Sequence, residues 1–516
     1  MRKVFVGIKK IFILLCCLVC ATVAFAEDYY WSTGADNYAP GRYSSAMENC
    51  VAIINKMDEI DSSYHITLYS LTYRSENTRL CAVFNTSKYI DNKFPGQAFV
   101  LTLRGDSCPA GYVWDAAAMG CQSKLISRSA KQRGIGSDKT CSVGNADKVG
   151  GFLNAAVGNN YQKELDFRPA GLSPLSFVRY YNSSSGLWSH TYSTRLVLDA
   201  NSATLVRPDG RQSTFFSSGG TYTPEMDELG ALSREGSAWV YVSGDNETLR
   251  FDSLGKLSSI VGLNGITQTI TYGVGANLNK GSVSDSLGNN LTFTQDPDFR
   301  PSEFHSAGLD IIYSYDEQGR LVRGNRTQSG QATSRIYHYE ASGYPLLLTS
   351  ITDERGVRVA TWAYDNQGRA ISSEQAGGTG KVQIGYNADG SSTVTNELGK
   401  KTVYRYQVIQ GVKHIVAIEG EPSANCPASN STFTYNDRGQ VLTQTDAKGF
   451  VTTYTYNDRG LETTRTEASG TPQARTKTTT WHATFNLPLT VTEGGQVTTY
   501  TYDSQGRQTS RTQTAL

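Results

Sequence analysis

Hydrophobic and polar side chains alternate one by one over long stretches of the second half of the chain. Tyr454 and Tyr456 fall on one face of an extended strand, and Thr453 and Thr455 fall on the other. The alternation stops at Asn-Asp-Arg-Gly, which ends in Gly460. Short polar side chains that hydrogen-bond their own backbone, followed by a glycine able to take a positive φ, are typical of hairpin turns. The pattern therefore predicts antiparallel β-hairpins.

The same unit recurs from Tyr315 onwards at steps of 20 to 29 residues, with one step of double length. Each copy starts with tyrosine and an acidic or amide residue and reaches glycine four residues later. A second turn, such as Asp353 to Gly356, lies between copies, so one unit is strand, turn, strand, turn. Such a chain predicts a mainly β fold built on one antiparallel sheet. The turn residues to which we assign a structural role are Tyr315, Asp316, Gly319, Arg320, Tyr364, Asp365, Gly368, Arg369, Tyr435, Gly439, Tyr456, Gly460, Tyr502, Asp503, Gly506 and Arg507.

This repeat resembles that of the Rhs or YD-repeat family, commonly written Tyr-Asp-x-x-Gly-Arg-Leu. Residues 315–321 match it at every fixed position, and the resemblance covers residues 205–516. The alternative is an unrelated antiparallel β-protein with similar turn chemistry. In the family the repeats spiral into a hollow β-shell around an enclosed polypeptide, commonly a toxin. The strands here have few large aliphatic residues, so we expect two polar faces and no dry core.

Residues 141–204 carry a second resemblance, to the β-domain that precedes the repeats in many bacterial Rhs proteins. The matching phrases are Gly-Asn-x-Tyr-x-x-Glu-x-Asp, ending at Asp166, and Leu-Ser-Phe-Val-Arg-Tyr-Tyr-Asn-Ser, ending at Ser183. The family's Asp-Pro-x-Gly closure, with its self-cleaving aspartate, is not found before Leu516. We therefore expect an N-terminal portion of a shell or an orphan remnant, whose partner is polypeptide cargo or the remaining C-terminal shell.

The first 26 residues have the pattern of a secretory signal peptide, with a basic leader, an apolar run and Ala24-Phe-Ala26. The run is short for a membrane span, which disfavours a retained anchor, and no integral membrane segment is expected after cleavage. Residues 27–125 predict an α+β module with a helix at 45–60 and strands near 65–73, 79–85 and 98–103. Residues 126–140 predict a linker.

Loss of the leader changes the formal charge from 48 − 47 = +1 to 44 − 47 = −3, which gives no electrostatic reason to bind nucleic acid. Six cysteines remain, and an even number in an exported chain argues for disulfides. Cys50 with Cys81 and Cys108 with Cys121 are favoured by proximity, which leaves Cys141 and Cys426; the connectivity stays open among 15 pairings.

Sequence motifs for chemistry are lacking: the six histidines are scattered, and there is no HExxH, GxSxG or Walker loop. The aspartates of the corners recur too regularly to be catalytic and are interpreted as turn caps. We therefore expect no cofactor, no metal and no enzyme activity. The leading hypothesis is a secreted or surface-exposed scaffold used in bacterial competition, and the alternative is a module that binds surface glycans by stacking on exposed Tyr and Trp.

Overall fold

The computed structural model describes residues 30–33, 66–75, 78–85, 96–104, 112–115, 120–123, 130–133, 148–149, 153–199, 201–420 and 430–516. Side chains are described at 131–133 and, from 153 onwards, at every described position except 276. The chain divides into two compact units, residues 1–124 with 274–276 and residues 125–273 with 277–516.

The first unit contains a four-stranded antiparallel sheet, in the order β1-β4-β3-β2, and a two-stranded hairpin, β5-β6. Three of the strands lie where the sequence predicts strands. The strands are β1 (Tyr30–Thr33), β2 (Ile66–Ser75), β3 (Thr78–Asn85), β4 (Gly96–Arg104), β5 (Tyr112–Asp115) and β6 (Gly120–Ser123).

Several sequence predictions for this half of the chain lie outside the described residues. They are the signal peptide, the helix at 45–60 and the cysteines Cys50, Cys108, Cys141 and Cys426. Cys81 and Cys121 lie on strands whose side chains are not described. The disulfides therefore stay a prediction.

The second unit begins with a five-stranded antiparallel sheet in the order β11-β10-β9-β8-β7. The strands are β7 (Lys148–Val149), β8 (Leu153–Asn154), β9 (Asn159–Phe167), β10 (Phe177–Asn182) and β11 (Leu187–His190). Short 3-10 segments lie at Ala130–Gln132, Thr191–Ser193, Gly275–Asn277 and Ala376–Gly378. In the described ranges there is no α-helix, and no helix there is long and apolar enough to cross a membrane.

The rest of the second unit is one sheet of 30 antiparallel strands, each paired with the next in sequence. This confirms the predicted antiparallel repeat sheet. The strands are β12 (Arg195–Leu198), β13 (Ser202–Val206), β14 (Gln212–Ser218), β15 (Thr221–Pro224), β16 (Ala231–Glu235), β17 (Ala238–Val242), β18 (Thr248–Phe251), β19 (Leu257–Val261), β20 (Thr267–Tyr272), β21 (Lys280–Asp285), β22 (Asn290–Gln295), β23 (Pro301–Ser306), β24 (Leu309–Tyr315), β25 (Leu321–Gln328), β26 (Gln331–His338), β27 (Ser350–Thr352), β28 (Arg358–Tyr364), β29 (Ala370–Gln375), β30 (Val382–Tyr386), β31 (Ser392–Thr395), β32 (Lys401–Ile409), β33 (Val412–Gly420), β34 (Ser431–Tyr435), β35 (Val441–Thr445), β36 (Val451–Tyr456), β37 (Glu462–Glu467), β38 (Arg475–Trp481), β39 (Pro488–Glu493), β40 (Gln496–Tyr502) and β41 (Gln508–Ala515).

A β-bulge lies immediately before the tyrosine that opens each repeat turn. The register shifts between the preceding residue and Tyr315, Tyr364, Tyr435, Tyr456 or Tyr502, each of which is the last residue of its strand. A bulge adds one residue to one strand and increases the local twist. Beyond the bulge the tyrosine still pairs, as Tyr315 does with Leu321, so one last pair closes the hairpin where the turn begins.

The expectation of two polar faces is wrong for the first part of the large sheet. One face of β12–β31 forms a continuous apolar core with the five-stranded sheet, and Phe293, Phe304 and Leu321 in it are almost fully buried. The burial alternates strictly, as in β21 and β24, because successive side chains point to opposite faces. The polar residues at every second position therefore lower the average hydrophobicity of a strand, while its inner face stays apolar.

The five-stranded sheet lies on this buried face, over strands β22–β26. The ring of Phe177 on β10 lies 4.8 Å from that of Phe304 and 6.0 Å from that of Phe293, centre to centre. On β11, the ring of Trp188 meets that of Tyr337 edge-on at 5.2 Å. Aromatic packing therefore fixes the small sheet on the large one.

Candidate functional site

The repeat turns, called corners below, close on their aspartate. In the corner 315–320, Oδ1 of Asp316 accepts hydrogen bonds from the backbone N–H of Gln318 at 3.1 Å and of Arg320 at 3.0 Å. Nε of Arg320 donates to Oδ2 of the same carboxylate at 2.6 Å. Gly319 has φ 72, which suits glycine and completes the turn. The aspartate is thus a cap, and both of its oxygens are occupied.

Other corners repeat this geometry with small changes. Asp365 and Asp503 bind the arginine four residues later through Oδ2, at 2.7 and 2.6 Å. Where asparagine replaces the aspartate, as at Asn436 and Asn457, Oδ1 still accepts two backbone N–H groups. The cap is therefore common to the corners, while the ion pair is restricted to those that have Asp and Arg.

The corner tyrosines connect each repeat to the one before it. Each hydroxyl donates to a backbone carbonyl that lies 14 to 20 residues earlier, at 2.5 to 2.8 Å. The pairs are Tyr315 with Pro301, Tyr364 with Leu348, Tyr435 with Ile415, Tyr456 with Val441, and Tyr502 with Pro488.

Corner arginines extend forward to the next repeat. The guanidinium carbon of Arg320 lies 5.4 Å from the ring centre of Tyr339, and that of Arg369 lies 4.0 Å from the ring centre of Tyr386. Nη1 of Arg320 also donates to the carbonyl of Pro345 at 3.2 Å. All sixteen residues named from the repeat thus lie at strand ends and turns.

A buried ionic cluster joins the five-stranded sheet to the large one. Arg179 on β10 donates from Nε to Oδ2 of Asp166 at 2.5 Å and from Nη2 to Oε2 of Glu164 at 3.0 Å. Burial alone would lower the pKa of Arg179, but the Asp166 carboxylate reverses this effect and raises the pKa well above its usual value. The arginine is therefore fixed as a cation.

Strands β24 and β26 complete the cluster from the other side. Tyr313 donates its hydroxyl to Asp166 at 2.8 Å, and Tyr337 donates to Glu164 at 2.6 Å. Arg335 binds the second oxygen of Glu164 at 2.8 Å. Burial raises the pKa of both tyrosines, so their hydroxyls stay protonated as donors. Each carboxylate is thus shared between the two sheets.

Glu164, Asp166 and Arg179 lie in the two sequence phrases that carry the second resemblance, but the sequence analysis predicts no role for them. A usable signal was present. Glu164 and Asp166 stand two apart on one strand, and Arg179 follows on the next strand of an apolar segment. Charges on the buried face of a strand need partners, so this spacing indicates a pairing site.

The large sheet coils so that turns of early strands contact turns of much later strands. This contact is called the seam. Backbone N–H of Asn486 donates to Oδ1 of Asn246 at 2.8 Å, and Nδ2 of Asn486 donates to the carbonyl of Gly244 at 3.0 Å. The loop after β17 thus contacts the loop after β38, which is 21 strands later. The seam therefore joins residues about 240 positions apart.

Two more pairs of turns meet at the same interval. A Cβ built on Gly460, after β36, would lie 2.7 Å from Cδ2 of Leu229, after β15. A Cβ built on Gly506, after β40, would lie 3.1 Å from Cδ1 of Leu263, after β19. Each pair is 21 strands apart, so one coil of the sheet takes 21 strands.

Residues 130–133, within the predicted linker, bridge two distant turns of the large sheet. Nζ of Lys131 lies 3.1 Å from Oδ1 of Asp227, in the turn after β15, and donates to the carbonyl of Gln410, after β32, at 3.2 Å. The side-chain amide of Gln132 donates to the carbonyl of Lys413 at 3.4 Å and accepts from its N–H at 3.2 Å. This segment therefore fastens the turn after β15 to the hairpin of β32 and β33.

The glycan alternative depends on exposed tyrosine and tryptophan rings. Among the tyrosine and tryptophan side chains whose burial is described, none is exposed. Over the same part of the chain, no three His, Cys, Asp or Glu side chains are grouped so that they could hold a metal ion. His190 is packed against Phe177, and burial lowers its pKa to about 4.

Several solved structures match part of the chain at low TM-scores. The crystal structure of TcdB2-TccC3-Cdc42 is 12% identical, with a TM-score of 0.37 over 64% of this chain and 20% of the other. The crystal structure of TcdB2-TccC3 is 11% identical, with a TM-score of 0.35 over 85% and 29%. The Photorhabdus luminescens Tc holotoxin pore is 13% identical, with a TM-score of 0.33 over 66% and 19%. The chain thus spans a fifth to three tenths of these chains.

No curated protein sequence matches the chain. Two family models do. The domain of unknown function DUF6531 matches residues 150–215, which include the five-stranded sheet with Arg179 and the first strands of the large one. The RHS repeat matches residues 435–472 and 485–515, which include the corners of β34–β41 and the later side of the seam. The resemblance found in the sequence is thereby confirmed, and the chain carries Rhs, or YD, repeats.

Proposed function

We propose that this chain is a structural scaffold, a coiled wall of repeats that surrounds polypeptide cargo, and that it performs no chemistry itself. The observation that carries the proposal is the seam, because a sheet whose turns meet after 21 strands has an inside and an outside. The proposal that the wall surrounds cargo is supported by the family of the repeats, because the chain carries RHS repeats.

The distribution of charge agrees with a supporting role. The most deeply buried charges, Arg179 with Asp166 and Glu164, are each bound to one another and to tyrosines of the large sheet. Charged groups that bind one another across two sheets hold those sheets together, which agrees with a structural role for this cluster. The corner carboxylates are likewise occupied by backbone N–H groups and arginine.

The proposal is tested by attaching an unfolded reporter polypeptide after Leu516 and following its digestion by a protease. A coiled wall should slow cleavage relative to the free reporter. Opening the seam with the double substitution Leu229→Asp and Leu263→Asp should restore fast cleavage, because each places a carboxylate between the coils.

The matched control carries Leu254→Asp and Leu398→Asp, which also change leucines in turns but at positions 75% and 81% exposed. This variant should protect the reporter as the unmodified chain does. A reporter cleaved at the free rate in all three proteins would overturn the enclosure of cargo.

We further propose that the chain is exported, because its first 26 residues have the pattern of a cleaved leader. Expression of the full chain in a bacterium should yield a product outside the cytoplasm whose first residue is Glu27. A product that keeps Met1, or that stays in the cytoplasm, would contradict export. A role in competition between bacteria rests on the family alone and would require a growth difference between mixed strains with and without the gene.

A further inference from the structure

A cavity of about 340 Å³ lies within the second unit where three elements approach one another. They are the turn before β9, the corner between β30 and β31, and the hairpin of β32 and β33. Gln132 of the bridging segment closes part of its wall. The cavity does not overlap the buried ionic cluster, and no role has been assigned to it above.

Lys413 supplies the first positive charge of this cavity. Its Nζ donates to the carbonyl of Ala156 at 3.0 Å, and the Tyr406 ring centre lies 5.5 Å away. Within the part of the chain whose side chains are described, Lys413 forms no ion pair. An ammonium group has three donors, so one carbonyl leaves donor capacity facing the cavity.

Arg369 supplies the second charge. It is bound to Asp365, with Nη2 2.7 Å from Oδ2, and its guanidinium stacks over Tyr386. Burial lowers the pKa of Lys413, and repulsion by Arg369 lowers it further. The two cations thus face one cavity whose lining contains no Asp or Glu.

Neutral polar groups complete the lining, and they largely satisfy one another. On the corner side the Asn387 amide donates to the Ser391 hydroxyl at 2.8 Å, and that hydroxyl donates to Asp389 at 2.6 Å. Gln132 lies opposite on the bridging segment, and its amide donates to the carbonyl of Lys413. The charge of Lys413 is therefore what the lining offers to a ligand, and a half-buried cation is stabilised by a counter-charge on oxygen. These residue types fit a small group that carries negative charge on oxygen.

We propose that this cavity is a binding site for an oxyanion, a carboxylate or a phosphate, with Lys413 as its direct ligand. Arg369 adds to the positive potential of the cavity, while its Nε and Nη2 bind Asp365. The inference does not depend on the enclosure of cargo. A carboxylate of an acidic peptide and free inorganic phosphate present the same chemistry to Lys413, and the experiment separates them.

The test uses the full chain and two probes, inorganic phosphate and a fluorescent tetraglutamate peptide, at low ionic strength. Binding of the peptide is followed by fluorescence polarisation and binding of phosphate by calorimetry. Lys413→Gln keeps a donor for the carbonyl of Ala156 but removes the charge, and it should weaken binding about tenfold. Lys401→Gln, at an exposed position of β32, should leave affinity within about twofold.

The outcomes are distinct. If phosphate binds and displaces the peptide, the site takes small oxyanions. If only the peptide binds, the site takes peptide carboxylates. In either case the site is supported if Lys413→Gln weakens binding and Lys401→Gln does not. Failure of both probes to bind, or equal binding by the two variants, would overturn it. Selective protection of the Lys413 amine from acetylation by the bound probe provides a second readout that does not depend on the variants.

Discussion

At the scale of single residues, each corner is a small self-contained hydrogen-bonded unit. The side chain of Asp316 caps two backbone N–H groups with one oxygen and binds Arg320 with the other. The corner at Asn436 keeps the cap and has no such ion pair. The chain therefore contains a natural comparison between the cap alone and the cap with its arginine.

Replacement of Asp316 should separate these two contributions. Asp316→Ala removes the cap and the ion pair and should destabilise the corner by about 1–2 kcal/mol. Asp316→Asn keeps the acceptor for both N–H groups and should lose less than about 1 kcal/mol. Hydrogen exchange at the amides of Gln318 and Arg320 measures this local opening. Equal exchange rates in the two variants would show that the cap contributes nothing.

A pH dependence is expected at the turn that begins with Asp353. Its pKa is lowered from the usual value, first by the backbone N–H of Val357, which donates to Oδ1 at 2.9 Å, and also by Arg355. A lowered folded pKa means that the stabilisation is present above the unfolded pKa, about 4, and is lost as pH falls through the folded pKa.

The protection factor of the Val357 amide should therefore stay constant from neutral pH down to about 4 and fall below it. Asp353→Asn should give lower protection with no step at acid pH, because the amide does not titrate. A flat profile in the unmodified chain would contradict the coupling between the carboxylate and this turn.

At the scale of elements, the Arg179 cluster determines how the five-stranded sheet is attached. Arg179→Met keeps most of the volume but leaves Asp166 buried without its counter-charge and Glu164 with Arg335 alone. Removing one partner of a buried pair costs about 3–5 kcal/mol. We expect a loss of this size in the free energy of unfolding of the second unit, measured by urea titration of tryptophan fluorescence.

Two further variants make that result specific. The triple variant Arg179→Met, Glu164→Gln, Asp166→Asn removes all three charges and should recover part of the loss. Arg250→Ala breaks the exposed pair with Glu235 and should cost less than about 1 kcal/mol. If the triple variant is no more stable than Arg179→Met alone, the uncompensated carboxylates are not the cause.

The sequence predicts the elements better than their assembly. The corners and their spacing were predictable because a turn such as 315–320 is closed by residues at most four positions apart. The apolar core on β21–β24 was missed because core residues such as Phe293 alternate with polar ones, which lowers the average. The Arg179 cluster joins residues about 150 positions apart, and its partners Tyr313 and Tyr337 look like ordinary strand tyrosines.

At the scale of the whole sheet, the seam results from the twist that accumulates from strand to strand. A small rotation from each strand to the next, added over 21 strands, brings Leu229 to Gly460 and Asn246 to Asn486. No local motif encodes that sum, so the sequence does not decide between a closed coil and an open trough. The seam is consequently the feature of the second unit that most needs a direct test.

Two glycines provide that test. Gly460 and Gly449 both have positive φ, 78 and 86, so alanine strains the backbone by about 1 kcal/mol at either position. A Cβ on Gly449 would meet nothing within 4 Å, whereas one on Gly460 would meet Leu229 at 2.7 Å. Gly460→Ala should therefore destabilise the second unit by about 1–3 kcal/mol more than Gly449→Ala.

The second substitution Leu229→Ala should reduce this excess in the Gly460→Ala background, because it removes the nearest of the contacts, while those with Gln440 at 3.1 Å and Arg438 at 3.3 Å remain. Residues 231 positions apart in sequence show such coupling only if they touch in the folded chain. Unfolding free energies of the two single variants and the double variant give the coupling energy. A value near zero would mean that the coils are apart in solution, and the sheet would then be an open trough that cannot enclose cargo.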